Sequence, residues 1–199
     1  MPSSPVLILR SINAARLDRT AADSEPASDL SNRRAAHVTQ RYKTLKFLDI
    51  CSPRVREMYE HWVALRGERI LPHRDDLDPA RITRYLPGIM LVDVLWGPPL
   101  DFVYRLVGTR EVESRGADPT GQRVAEAYFA ANVDDALDNY RHVATERAVL
   151  YDCEPVSKPG NRYLGNEALF LPFTLDGERV GQILVYSHYE DLWVRPPGA

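Results

Sequence analysis

Apolar residues along this chain change their spacing from segment to segment. Ala35, Val38, Tyr42 and Leu45 step by 3, 4 and 3, the narrow face of a helix. Lys43–Ile50 is equally open to an extended reading, because Leu45 and Phe47 alternate with Lys46 and Leu48. Ser52-Pro53 predicts a helix start, since the Ser hydroxyl accepts from free N–H groups and Pro at the first helical position wastes no donor. Val55, Met58, Tyr59, Trp62 and Leu65 then mark one face, and Gly67 supplies the stop. Asp78-Pro79 opens a second, short helix that Pro87 closes.

The period drops to two at Ile89–Trp96 and Phe102–Val107, two apolar runs joined by Gly97-Pro98-Pro99. They predict a hairpin with Trp96 opposite Phe102, Val94 opposite Tyr104 and Val92 opposite Leu106. Asp93 then meets Arg105 on the other side. Both faces are apolar, so each needs a cover. One cover is expected from the domain's own helices, the other from the N-terminal helix or a partner chain. Thr109 caps a short helix over 110–115 that Gly116 ends, and Asp118-Pro119-Thr120-Gly121 reads as a turn. Residues 124–148 are helical in pattern, with Val133, Leu137, Tyr140 and Ala144 on one face.

Three strands close the chain, at Val149–Val156, Tyr163–Thr174 and Arg179–His188. Asp176-Gly177 predicts a tight turn that pairs Phe173 with Val180, Leu171 with Gln182 and Leu169 with Leu184. Pro172 within a strand calls for an edge position or a bulge. The order predicts an α+β domain on a five-stranded antiparallel sheet with helices on one face, plus a partly helical N-terminal extension. Residues 1–30 read as a flexible leader, 31–51 as the extension, 52–192 as the domain and 193–199 as a loose Pro-rich tail.

Composition narrows this little. A chain of 199 residues that is 44% hydrophobic and 27% charged makes one ordinary domain with some extra length. No apolar run is long enough for a membrane span, and PVLIL near the start is too short for a secretory signal. Cys51 and Cys153 are far apart in sequence and read as two reduced thiols of a cytoplasmic protein. Charge is uneven: residues 1–46 carry eight Lys/Arg against four acids, which leaves −7 on the rest of a chain of net charge −3. That basic arm lacks aromatic interleaving, which argues against nucleic acid as a partner.

The segments HWVALRGERILPHRDDLDPARI, LPGIMLVDVL, FVYRLVGTREVESRGADPTGQ and LPFTLDGERVGQILVYS together resemble the PAS fold. Within it they resemble a bacterial group of stand-alone PAS-like proteins, over about residues 44–192. The resemblance implies strand order 2-1-5-4-3, a small cavity between sheet and helices, and a sensory or interaction role in signalling.

Cofactor chemistry can be weighed against that expectation. Neither Cys sits in the polar helical motif of flavin photosensors. His142 falls on the helix that carries an axial His in haem-binding relatives, but a single helical His is a weak motif. Haem and flavin are therefore not expected. His37, His61 and His73 have no metal-like spacing, and Asp75, Asp76 and Asp78 read as caps and a solvated loop. No Ser-His-Asp order, phosphate loop or carboxylate pair stands out, so neither a catalytic residue nor a metal ligand is assigned and no enzyme is expected.

Trp96, Phe102, Tyr104, Tyr128, Tyr140, Phe170 and Tyr186 are the candidate cavity lining, for a small, weakly polar ligand. Asp93 and Arg105 are the candidate structural or interface pair. The expected function is a sensor or regulatory module that binds a small ligand, a protein partner or both. It would act through a homodimer or an unidentified signalling protein, away from any membrane. The alternative is a ligand-free interaction scaffold with a filled core.

Overall fold

The computed structural model describes residues 40–128, 133–158 and 162–193. The chain divides into two units, 1–36 and 37–199, and every described residue belongs to the second. The predicted leader, Ala35, Val38 and the last six residues lie outside the described ones.

Six strands form one antiparallel sheet in the order β1-β4-β5-β6-β2-β3. They are β1 (Gln40–Tyr42), β2 (Ile89–Leu95), β3 (Asp101–Val107), β4 (Leu150–Lys158), β5 (Arg162–Thr174) and β6 (Val180–Trp193). Four helices accompany them: α1 (Pro53–Arg66), α2 (Thr109–Arg115), α3 (Val124–Ala127) and α4 (Val133–Glu146). With β1 set aside, the order is the expected 2-1-5-4-3. The α+β class stands, with a sixth strand added.

That sixth strand lies where the 3-4-3 spacing predicts a helix. Tyr42 pairs with Tyr151 and Gln40 with Cys153, and Leu45–Asp49 forms a 3-10 turn. The period misleads because one ring, Phe47, is the part of the segment that is fully buried; Leu45 stays exposed. Phe47 stacks on Tyr151 at 5.2 Å and meets Tyr59 edge-on at 5.5 Å.

Helix α1 starts and stops as read. The Ser52 hydroxyl accepts from Val55 N–H at 3.4 Å, and Gly67, at φ +56°, closes the last turn on the Val63 carbonyl. Val55, Met58 and Trp62 are its buried residues, and Trp62 Nε1 donates to Pro172 O at 2.9 Å. The helix covers the face of the sheet that carries Tyr151. Helix α4 packs on the opposite face, so helices lie on both sides rather than one.

Both hairpins are shifted in register by two residues, which keeps the expected faces except at Leu106 and Val107. Val94 pairs with Phe102 and Val92 with Tyr104, two residues away from the expected pairing. Across the second hairpin Phe173 pairs with Gln182, Leu171 with Leu184 and Leu169 with Tyr186. The loop there is longer than two residues because the Asp176 carboxylate accepts from Glu178 N–H (2.9 Å) and Arg179 N–H (3.1 Å). These bonds hold its carboxyl at a pKa of about 2. Pro172 lies in β5 past the last pairing with β4, a local edge.

A bulge opposite Leu91/Val92 leaves Arg105 as the extra residue of β3. It exchanges the faces of the two residues that follow. Leu106 pairs with Leu91 on the α1 side and is 43% exposed, while Val107 turns toward the other side.

Two glycines let β2 start where it does. A Cβ on Gly88 would collide with Ser187 O, and one on Gly108 with the carbonyl oxygens of Leu86 and Pro87. Gly108 N–H donates to Ile89 O at 2.8 Å, so this close approach closes the hairpin base. Gly108→Ala is expected to lower the unfolding free energy by about 2 kcal/mol. Gly97→Ala, whose methyl would meet nothing nearer than Pro99 O at 4.0 Å, should change it by less than about 0.5 kcal/mol. Urea titration followed by Trp fluorescence measures both.

Candidate functional site

Parity across the sheet decides which aromatic residues can meet. Val92, Val94, Phe102 and Tyr104 share the inner face, toward α4, with Phe170 from β5. Tyr140 projects from α4 into this group, 5.3 Å from the Phe102 ring and 5.3 Å from the Phe170 ring. Tyr128, at the end of α3, packs half-buried against the same core. Five of the seven candidate lining residues are thus brought together.

The other two are not. Tyr186 pairs with Ile89 and Leu169, which fixes it on the outer face, edge-on to Tyr85 at 5.3 Å and stacked with His188 at 6.2 Å. Trp96 lies past the end of β2, partly exposed, with Nε1 donating to Val180 O at 2.6 Å. Neither can line an inner cavity.

The inner face also holds a charged group that the sequence reading passed over. Glu111 and Arg115 are one turn apart on α2, and their side chains are 2% and 6% exposed. Arg115 Nη2 is 3.8 Å from Glu111 Oε2 and donates to Met90 Sδ at 3.2 Å, while Nη1 donates to the Tyr104 hydroxyl at 3.4 Å. Its guanidinium carbon is 5.2 Å from the Tyr104 ring centre. The Tyr189 hydroxyl donates to Glu111 Oε1 at 3.2 Å. Burial pushes the Glu111 carboxyl upward, and Arg115 opposes that push only in part. Burial likewise raises the phenols of Tyr104, Tyr140 and Tyr189. The signal in the sequence was the i, i+4 Glu/Arg spacing on a helix too short to hide it from the sheet.

Asp93 and Arg105 do meet, through the bulge rather than by direct opposition. Arg105 Nε and Nη2 reach Asp93 Oδ2 at 2.8 and 2.7 Å, and Gln182 Nε2 donates to Oδ1 at 2.6 Å. They lie on the outer face with Leu95 and Leu106, which are 45% and 43% exposed. Also on the outer side, Glu167 Oε1 accepts from Ser52 N–H and from the Tyr151 hydroxyl, each at 2.7 Å. This carboxylate ties the start of α1 to the sheet.

A cleft of about 280 Å³ opens elsewhere, lined by residues including Arg69, His73, Arg147 and Thr174, and it holds none of the candidate aromatic residues. Cys51 and Cys153 are free thiols. Among the described residues, no group of three or more His, Cys, Asp or Glu is arranged to hold a metal, and no helix is long and apolar enough to cross a membrane.

A sheet in this order, with α2 to α4 packed over one face, can be set against known families. The family model described as PAS domain matches residues 50–185. The chain belongs to the PAS domain family. No curated protein matches it, and no solved structure does. Membership makes this a sensory or signalling module in the general sense, and the inner face of the PAS sheet, with its buried charges, is the candidate site.

The buried pair can be tested through stability. Glu111→Ala withdraws a carboxylate from beside buried Arg115 and should cost about 3 kcal/mol, whereas Glu111→Leu combined with Arg115→Met should cost less. The pH dependence has a definite sign. A carboxyl raised above its ordinary value of 4.5 gives stability that is complete below that value and is lost as pH climbs through the raised one. Glu111→Gln removes this loss, so urea unfolding should show the variant gaining on the wild type as pH rises above 4.5.

Proposed function

We propose that this PAS domain is a regulatory sensor, with its input at the inner face and its output at the outer face of the β2–β3 hairpin. The observation that carries the proposal is the Glu111–Arg115 pair, buried against Tyr104, Tyr189 and Met90. A core that serves only as scaffold gains nothing from desolvating two charges. Charges beside an aromatic group are what a small ligand with one apolar and one polar end would use.

Output through association is supported by Leu95 and Leu106, exposed around the Asp93–Arg105 pair. The partner is a second copy of the chain or another signalling protein. Two free thiols suit a reducing compartment, which supports a cytoplasmic location. No catalytic step is assigned to the domain.

A specific observation also favours the ligand-free scaffold. Phe102, Tyr140 and Phe170 are already in ring contact, which fills that part of the inner face. Native mass spectrometry of the freshly purified chain separates the two readings. A retained non-covalent mass that Arg115→Met loses is expected for the sensor. Bare protein, together with unchanged melting across a panel of small aromatic carboxylates, would leave the scaffold. For output, Leu106→Glu should shift sedimentation toward monomer without lowering the melting temperature by more than a few degrees, because that side chain is already in solvent. A wild type that sediments as monomer at high concentration would restrict output to a different partner.

A further inference from the structure

The strand β1 is held to the domain by side chains that also belong to the helix over the inner face. None of its three residues is buried. Tyr42 faces outward, 5.9 Å from the Tyr151 ring. Arg41 faces the other way. Its Nη2 is 3.0 Å from Asp135 Oδ1 on α4, and its Nε is 3.7 Å from Asp152 Oδ2 on β4. Asn139 Nδ2, one turn beyond Asp135 on α4, donates to that same Asp152 oxygen at 2.6 Å. The next residue of α4 is Tyr140, clasped between Phe102 and Phe170. Lys43, just past β1, is close enough to His142 of α4 to lower its pKa, after burial.

We infer that β1 is a strap whose hold on the sheet reports the position of α4, and so couples the inner aromatic group to the β1–β4 edge of the sheet. A displacement of α4 at Tyr140 carries Asn139 and Asp135 with it. Those two residues fix Asp152 and Arg41. The grip also includes a three-residue ladder and one tilted ring contact. A short edge strand with no buried residue opens at low cost, so a small bias can move it. Released, it would free the β4 backbone at Tyr151–Cys153.

The inference rests on the sensor reading only for the direction of the signal. Its test needs no ligand, so its failure would leave the ligand reading in place. Hydrogen–deuterium exchange on the full chain follows peptides that cover Gln40–Tyr42. Asp135→Asn should speed their exchange about two- to fivefold, the size expected for losing a half-exposed ion pair. Tyr140→Leu, which changes no contact of β1, should speed it as well, while the β5–β6 pairing keeps its protection. The double variant should fall short of the product of the two. Asn139→Ala, outside the aromatic group, gives an independent reading and should speed exchange in the same peptides, and Tyr140→Phe should leave them at the native rate. Native exchange over 40–42 in Tyr140→Leu or Asn139→Ala, or a uniform rise across the whole sheet, overturns the coupling.

Discussion

A strand buried on both faces needs two covers, and β2, like β5 and β6 in the same sheet, is such a strand. Ile89, Leu91 and Asp93 point outward while Met90, Val92 and Val94 point inward, and all of these except Asp93 are buried. Each apolar side chain contributes roughly 1.5–3 kcal/mol only if its own side is covered. The outer cover is α1, fastened by Trp62 to Pro172 and by Ser52 to Glu167. The inner cover is α4 with α2 and α3. Gly88 and Gly108 serve the same need, since they let the chain pass close to the ends of β6 and β2 where a methyl would not fit.

Polar groups taken into such a core must be matched. Outside, Glu167 and Asp93 each accept two or more hydrogen bonds and read as fasteners. Inside, Glu111 and Arg115 stand 3.8 Å apart, with the Tyr104 and Tyr189 phenols, the Met90 thioether and the Ser187 side chain among their neighbours. Charge pairs under cover stabilise little, because desolvation offsets their attraction. The two faces differ in this: the outer one uses its polar groups for anchoring, while the inner one keeps a charged pair beside an aromatic group.

Much of this could be read from the chain because local chemistry decides it. Ser52-Pro53 and Gly67 bound α1, Asp176-Gly177 marks a turn, and alternation over 89–96 and 102–107 predicts two strands, each within one residue of its observed bounds. Both hairpin registers slip by two residues, an even number, so Phe102, Tyr104, Val92 and Val94 keep their predicted side. What could not be read depends on distant residues. The β1 segment becomes a strand because β4 offers an edge there, 110 residues later in the chain. Tyr186 turns outward because its parity is set by Ile89 and Leu169. Glu111 and Arg115 look like a surface pair until α2 is seen lying against the sheet.

The bulge at Arg105 carries the most weight for output. With no extra residue, β3 would continue its alternation, Leu106 would turn inward beside Tyr104, and the outer hairpin would end on polar groups. One added residue instead sends Leu106 out beside Leu95, brings Arg105 onto Asp93, and returns Val107 to the core. Helix α1 cannot cover this corner, because its anchors are on β5. The result is an exposed apolar pair beside an ion pair, away from the points where α1 is anchored. The bulge creates it without disturbing the strand that the core depends on.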